Sequence, residues 1–166
     1  MIRQLPDDAD LVKMFHLGRT NREIAEAYGV TVQAVDQRYA AMGLQRRPIV
    51  NQVAHLLAPL QIISHNTGES HHNEWSMRLL RVYLRRQLGD RTLTEKQLNQ
   101  ARVFEEKIRD KGLILCYYRE RHRGWVYEPR AASDGAMVVR WPEDAPRPEG
   151  NALRVLSLPC EPALAT

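Results

Sequence analysis

The sequence predicts a mainly α-helical fold that carries one small β-hairpin or sheet. Apolar residues recur at helical spacing between positions 8 and 111, which is typical of amphipathic helices. Glycines follow several of these periodic segments, where helices commonly end in a left-handed residue. The apolar run 113–118 breaks that spacing, and a polar connection containing Gly124 joins it to residues 125–127, as in a hairpin. An N-terminal helical module joined by a helix to an α+β module accounts for this order.

The N-terminal module is predicted to contain three short helices. They are expected over residues 8–17, 22–28 and 32–42, and each is followed by a glycine. Three aspartates at the start of the first helix favour the positive end of its dipole, while Asn21 and Thr31 are expected to cap the second and third helices. The predicted core consists of Leu11, Phe15, Ile24, Ala25, Val30, Val35 and Tyr39.

The stretch from 21 to 42, NREIAEAYGVTVQAVDQRYAAM, has the layout of a helix-turn-helix. Ala25 is small where the second helix of the pair must cross closely, and Gly29 suits the left-handed turn between the helices. A helix presented in this way fits the major groove of B-DNA with its first residues at the base edges. An ordinary solvated helix face is the alternative for each contact. The candidate DNA contacts of this module are Thr31, Gln33, Gln37 and Arg38.

A proline-containing segment then interrupts the helical pattern. Pro48 disfavours helix at the residue before it, so Arg46 and Arg47 either contact phosphate or the minor groove, or belong to a solvated linker. The apolar segment 49–63 predicts a connecting helix that belongs to the second module or bridges both. The expected organisation is a helix-turn-helix domain at 1–47, a linker helix at 48–64, a second domain at 65–141 and a proline-rich C-terminal tail at 142–166.

The second domain begins with two predicted helices separated by a short turn. The first starts at position 73 or 76 and ends near 88, and the second spans about 95–111. Thr94 and Gln97 have the spacing of a capping box at the start of that second helix. Its inner side is expected to carry Leu98, Ala101, Phe104 or Glu105, and Ile108.

The β-structure is predicted to follow these helices. Residues 113–118 and 125–127 form the hairpin, and residues 137–141 are a candidate third strand. After Pro142 the chain is rich in proline and poor in large apolar residues, so we expect irregular or loosely packed structure there, with a short strand near 153–158.

Helix, turn, capped helix and hairpin in this order resemble a winged helix-turn-helix, a fold that needs no metal or cofactor. Lys96, Asn99 and Gln100 lie on the exposed side of the second helix near its start, and such side chains can bind adenine, guanine or phosphate. Arginine offers a fork of donors that suits phosphate. A solvated basic face is again the alternative. The candidate phosphate or minor-groove contacts are Arg78, Arg81, Arg85, Thr92, Thr94, Arg121 and Arg123.

The distribution of charge favours a role for this second module in nucleic-acid binding. Residues 51–130 carry fourteen basic and nine acidic side chains, whereas residues 1–50 carry seven and six. A nearly neutral module gains little attraction to phosphate, so the middle segment is expected to supply most of the electrostatic affinity.

Other functional classes lack their signatures in this sequence. Six histidines and two cysteines show no metal-ligand spacing, so no metal or cofactor is expected. No nucleophile elbow, phosphate-binding loop or cluster of carboxylates is found, which argues against an enzyme. Apolar runs stay well below the ~18 residues of a membrane span, and no signal peptide is found. We therefore expect reduced cysteines and a cytoplasmic location.

The segments NREIAEAYGVTVQAVDQRYAAMGLQRR and SMRLLRVYLRRQLGDRTLTEKQLNQARVFEEKIRDKGLILCYYRERHRGW resemble the immunity repressors of cluster A temperate mycobacteriophages. The resemblance covers roughly residues 8–141. It implies a repressor that silences the early lytic promoter, maintains lysogeny and excludes superinfecting phage. It also implies binding to an operator and to dispersed stoperator sites, which are short and asymmetric and suit a monomer. Two unlike modules on one chain can occupy adjacent major grooves, and their linkage strengthens binding.

Two other classes of DNA-binding protein are alternatives: a phage packaging protein, which also begins with a helix-turn-helix, and the DNA-binding part of a recombinase or transposase. A phage DNA-packaging protein resembling the terminase small subunit would need a coiled-coil or ring-forming segment, which is not found in the sequence. A recombinase would need a catalytic serine or tyrosine domain, for which 166 residues leave no room. The repressor interpretation is therefore preferred, with a packaging or other DNA-binding assembly protein as the alternative.

Overall fold

A computed structural model describes residues 4–44, 48–63 and 70–160, and the chain divides into two compact units, 1–47 and 48–166. Seven α-helices and one two-stranded antiparallel sheet occur among the described residues. The predicted fold class, mainly helical with a small β-hairpin and a helical N-terminal region, is confirmed. The candidate contacts Arg46 and Arg47 lie outside the described residues.

The first unit consists of three short helices around a small core. These are α1 (Asp8–His16), α2 (Asn21–Tyr28) and α3 (Val32–Ala41), each within one residue of the predicted bounds. The prediction that Asn21 caps α2 is wrong, because the cap is Thr20, whose hydroxyl accepts the Glu23 N–H while the Glu23 carboxylate accepts the Thr20 N–H. Fully enclosed core residues are Leu11, Ile24, Ala25, Val35 and Tyr39, with Phe15 and Val30 packed against them.

The second unit contains three α-helices before the sheet. These are α4 (Ile49–Leu57), α5 (Trp75–Gln87) and α6 (Glu95–Asp110). The helix after Pro48 belongs to this unit, where Val53 and Leu57 enter its core. Leu98 was expected to face inward on α6 but is 43% exposed, because the buried face of that helix runs through Ala101, Phe104 and Ile108.

A short antiparallel hairpin follows α6. Strand β1 (Leu113–Tyr117) pairs with β2 (Trp125–Pro129), and Leu115 lies opposite Tyr127. The third strand predicted at 137–141 is wrong. That segment instead forms single bridges, Leu115 with Val139 and Met137 with Ser157, because its backbone bonds alternate between β1 and the C-terminal segment.

The prediction of a loosely packed C-terminal segment is also wrong. Helix α7 (Gly150–Val155) replaces the expected strand, and Val155 and Leu156 are fully buried in the core of the second unit. The hydroxyl of Tyr83 on α5 donates to the Ser157 carbonyl at 2.7 Å. A few apolar side chains at the correct spacing are therefore enough to anchor this proline-rich segment. None of the helices in the described ranges is both long and apolar enough to cross a lipid bilayer.

Candidate nucleic-acid interface

The turn between α2 and α3 orients α3 within the first unit. Gly29 ends α2 in the left-handed conformation at φ 64°, and the Thr31 hydroxyl accepts the Ala34 N–H at 3.1 Å to begin α3. Tyr39 then fixes the other end of α3, because its buried hydroxyl donates to the Leu11 carbonyl at 3.0 Å. These bonds hold α3 against α1 and α2 and leave one face of α3 in solvent.

That solvent-facing surface carries most of the predicted contacts of the first unit. Thr31, Gln33 and Gln37 are all exposed, and Val32 at the start of α3 is 42% exposed although it is apolar. The two glutamine carboxamides are one turn apart and can each offer a donor and an acceptor to a base edge. The N-terminal end of α3 therefore has the chemistry and exposure that a recognition helix requires.

Arg38 lies on α3 but is paired within its own unit. Its guanidinium contacts the Asp8 carboxylate of α1 at 2.6 Å, and both side chains remain about half exposed. Asp36 is likewise engaged, because it accepts a hydrogen bond from the Asn21 side chain. Arg38 can reach DNA only by exchanging this surface ion pair, which is a small cost, for a phosphate.

Three of the four arginines of α5, namely Arg78, Arg81 and Arg85, form one stripe in the sequence but occupy three different environments. Arg78 is exposed. Arg81 is half-buried and donates to the His72 carbonyl, and its burial and the neighbouring Arg78 lower its pKa. Arg85 pairs with Asp90 at 2.8 Å and also contacts the Thr92 hydroxyl at 3.3 Å. Of these three arginines, only Arg78 is exposed and thus available to bind a phosphate.

The two predicted threonine contacts mainly stabilise the turn before α6. Thr92 donates its hydroxyl to Asp90 at 2.7 Å, and hydrogen bonds from Thr92 and Arg85 hold the pKa of Asp90 below its usual value, against the opposing effect of burial. Thr94 caps α6 in a reciprocal capping box with Gln97, as predicted. Both threonines remain exposed, so their outer atoms still face solvent.

The start of α6 presents the predicted polar side chains in part. Lys96 and Asn99 are exposed, while Gln100 is half-buried. The Asn99 side-chain oxygen Oδ1 accepts a hydrogen bond from Arg102 at 2.7 Å, and Arg102 also pairs with Glu106 at 2.5 Å. This chain of contacts orients the Asn99 side chain along the exposed face of α6.

The hairpin tip carries a cluster of exposed positive charge in the second unit. Arg119, Arg121 and Arg123 are all exposed between β1 and β2. The Arg121 guanidinium lies 4.1 Å from the centre of the Tyr118 ring, which restrains it by a cation–π contact. Three guanidinium groups within five residues on a short hairpin form a compact surface for an anion such as a phosphate backbone.

A buried histidine, not identified from the sequence, anchors this tip. The Tyr117 hydroxyl accepts the Ile63 N–H at 2.8 Å and bonds to His71 Nδ1 at 2.9 Å. His71 Nε2 is 3.0 Å from the His122 carbonyl, which only accepts, so Nε2 carries the proton. The His71 carbonyl accepts the Trp125 indole N–H at 3.0 Å. His71 lies in a 3₁₀ turn (His71–Asn73).

A second polar cluster, also missed, joins β2 to the segment that follows it. Arg140 pairs with Glu128 at 2.7 Å and with Asp134 at 2.9 Å. The Tyr118 hydroxyl donates to Glu128 at 2.7 Å and, with Cys116 and Arg140, holds the pKa of Glu128 below its usual value. Because these partners are widely spaced in the sequence, no local sequence pattern predicts the cluster. It stiffens the base of the hairpin whose tip is basic.

No family model matches the chain, and no curated protein matches it significantly. Within the described ranges, no group of three or more histidine, cysteine, aspartate or glutamate side chains is arranged to hold a metal ion.

Proposed function

We propose that this protein is a sequence-specific double-stranded DNA-binding transcriptional repressor. The observation that carries the proposal is the exposed front of α3, where Gln33 and Gln37 face solvent on a helix whose start is capped by Thr31. A rigid helix with polar side chains at its N-terminal end is the element that helix-turn-helix proteins place in the major groove. No enzymatic step is required for this activity, since occupancy of a promoter is sufficient for repression.

The second unit is proposed as an unlike DNA-binding module. Its exposed basic hairpin tip supplies the phosphate attraction that the nearly neutral first unit lacks, and the Lys96–Asn99 surface of α6 supplies further base contacts. Two unlike modules on one chain favour an asymmetric site and a monomeric protein. Linkage of the modules makes the second contact intramolecular, so moderate contacts combine into tight binding.

The biological role proposed is maintenance of phage lysogeny and superinfection immunity. This part rests on the resemblance of residues 8–141 to the immunity repressors of cluster A temperate mycobacteriophages. In that role the protein acts on DNA in the cytoplasm of the bacterial host, at an operator and at dispersed stoperator sites.

The first experiment tests the first unit. Protection footprinting on the source genome identifies the site, and fluorescence anisotropy then measures affinity for a duplex containing it. The double substitution Gln33→Ala and Gln37→Ala should weaken specific binding by about 10- to 100-fold per lost base contact and leave non-specific binding unchanged. Asn51→Ala is the matched control, because Asn51 is an exposed carboxamide on α4. Equal loss in the control and the double variant would contradict the assignment of α3.

The second experiment tests the hairpin tip. Arg121→Ala with Arg123→Ala should weaken binding to all sequences alike and reduce the slope of log affinity against log salt by about two, since each phosphate contact contributes about one. An unchanged salt dependence would show that the tip does not contact DNA. Sedimentation equilibrium completes the test, because a ring-shaped oligomer would instead support the DNA-packaging alternative.

A further inference from the structure

A cleft in the second unit lies between α4 and α5. Its volume is about 400 Å³, which is in the range of sites for small molecules. Four polar side chains, Gln61, His72, Arg81 and Arg85, line part of it. The rest of the wall is apolar and is formed by Val50, Val53, Ala54, Leu57, Ala58, Ile62 and Met77.

The two arginines of the cleft differ in how their charge is compensated. Arg85 is paired with Asp90, whose side chain is only 6% exposed, so its charge is already neutralised. Arg81 is half-buried, and the contact that holds it is with the His72 carbonyl, which can satisfy one of its five N–H donors. Within the described ranges no carboxylate pairs with Arg81. A cation that is withdrawn from water next to an apolar wall calls for an anionic partner.

The neighbouring groups strengthen the case for an anion. Burial and Arg81 lower the pKa of His72, so this ring is neutral at pH 7 and does not compete for the partner. Arg78, which is exposed and does not line the cleft, contributes less than burial does to the lowered pKa of Arg81. A bound negative charge would oppose the lowering of both the His72 pKa and the Arg81 pKa.

We propose that this cleft binds a small amphipathic anion, a monocarboxylate with an apolar chain, whose carboxylate pairs with Arg81. The chain lies against Val53, Leu57 and Met77, where burial of its methylene groups is favourable. The planar guanidinium suits a carboxylate through two parallel hydrogen bonds. The mostly apolar wall disfavours a DNA phosphate as the occupant, and this inference does not depend on the proposed function.

The test is isothermal titration calorimetry of the full-length protein with octanoate, without DNA. Octanoate is expected to bind, whereas octan-1-ol and octylammonium, which have the same chain, should bind at least tenfold more weakly. Arg81→Gln should weaken octanoate binding at least tenfold. Arg78→Gln is the matched control, because Arg78 is exposed one turn earlier on α5 and does not line the cleft. The affinity of the Arg78→Gln variant for octanoate should change less than threefold.

A second variant keeps the proposal testable if Arg81→Gln fails to fold. Ala54→Phe fills the cleft from an exposed position on α4 and should abolish octanoate binding while the far-ultraviolet circular dichroism stays native. Octan-1-ol binding as tightly as octanoate, no detectable octanoate binding, or octanoate binding that survives Ala54→Phe would each overturn the proposal. So would sedimentation showing that a second copy of the chain covers the cleft and that Ala54→Phe releases it.

Discussion

Substitution of Gly124 by alanine should test how the basic hairpin tip is held. Gly124 lies in the left-handed region at φ 75°, and a Cβ added to it would come within 2.6 Å of His71 Nδ1 and 2.8 Å of Tyr117 Cε2. Real Cβ atoms essentially never approach so closely, so the His71 and Tyr117 rings must move. That movement breaks the hydrogen bond that the Tyr117 hydroxyl donates to His71 and the one that His71 donates to the His122 carbonyl.

The expected loss of stability has two parts. Placing alanine in the left-handed conformation costs about 1–2 kcal/mol. Each hydrogen bond lost from the buried His71 ring costs about 0.5–1.5 kcal/mol more. Gly124→Ala should therefore lower the free energy of unfolding of the second unit by about 2–5 kcal/mol.

Gly89→Ala is the matched control. Gly89 also lies in the left-handed region, at φ 78°, but nothing approaches within 4 Å of its added Cβ. It should therefore show the backbone cost of about 1–2 kcal/mol alone. The difference between the two variants isolates the steric contact with His71.

Equilibrium urea unfolding followed by tryptophan fluorescence measures this difference. All three tryptophans, at positions 75, 125 and 141, lie in the second unit, so the signal reports on that unit without interference from the first. Trp125 is itself bonded to the His71 carbonyl and should sense the displacement directly. If the two glycine variants lose the same stability, within about 0.5 kcal/mol, the packing of the hairpin tip on His71 is refuted.

Three further predictions concern the second unit. Hydrogen bonds from Arg140 hold the pKa of Asp134 below its ordinary value of 3.8. The ionised Asp134 carboxylate therefore stabilises the fold above pH 3.8, and this stabilisation is lost as the pH falls through and below that value. Acid titration followed by circular dichroism should show a flatter profile for Asp134→Asn. Burial raises the pKa of Cys116 to about 12, whereas Cys160 is exposed, so Ellman's reagent should modify Cys160 rapidly and Cys116 only after unfolding. Leu156→Ala should cost about 2–5 kcal/mol in urea unfolding, because Leu156 is fully buried, and a loss below 1 kcal/mol would contradict the packed C-terminal segment.

Local chemistry decides the features that could be read from the sequence. Thr31 and the Thr94–Gln97 pair begin their helices where predicted, because a cap is made by residues within one turn of each other. Gly29 ends α2 for a similarly local reason, since glycine adopts the left-handed conformation without the strain that a Cβ atom causes. Periodicity then identifies most of the buried sides of the helices, with Leu98 on α6 an exception, and the hairpin follows from a glycine-containing polar connection between two apolar runs.

Only the tertiary structure decides what meets each exposed or half-exposed side chain. Arg78, Arg81 and Arg85 look equivalent along α5, yet one faces solvent, one lines an apolar cleft and one is neutralised by Asp90. His71 likewise has no local signal, because its partners lie 46 and 51 residues away. Helical spacing determines the direction in which a side chain leaves its own helix. The residue that it meets depends on the packing of distant segments, and hence so does whether a charge is free, paired or buried.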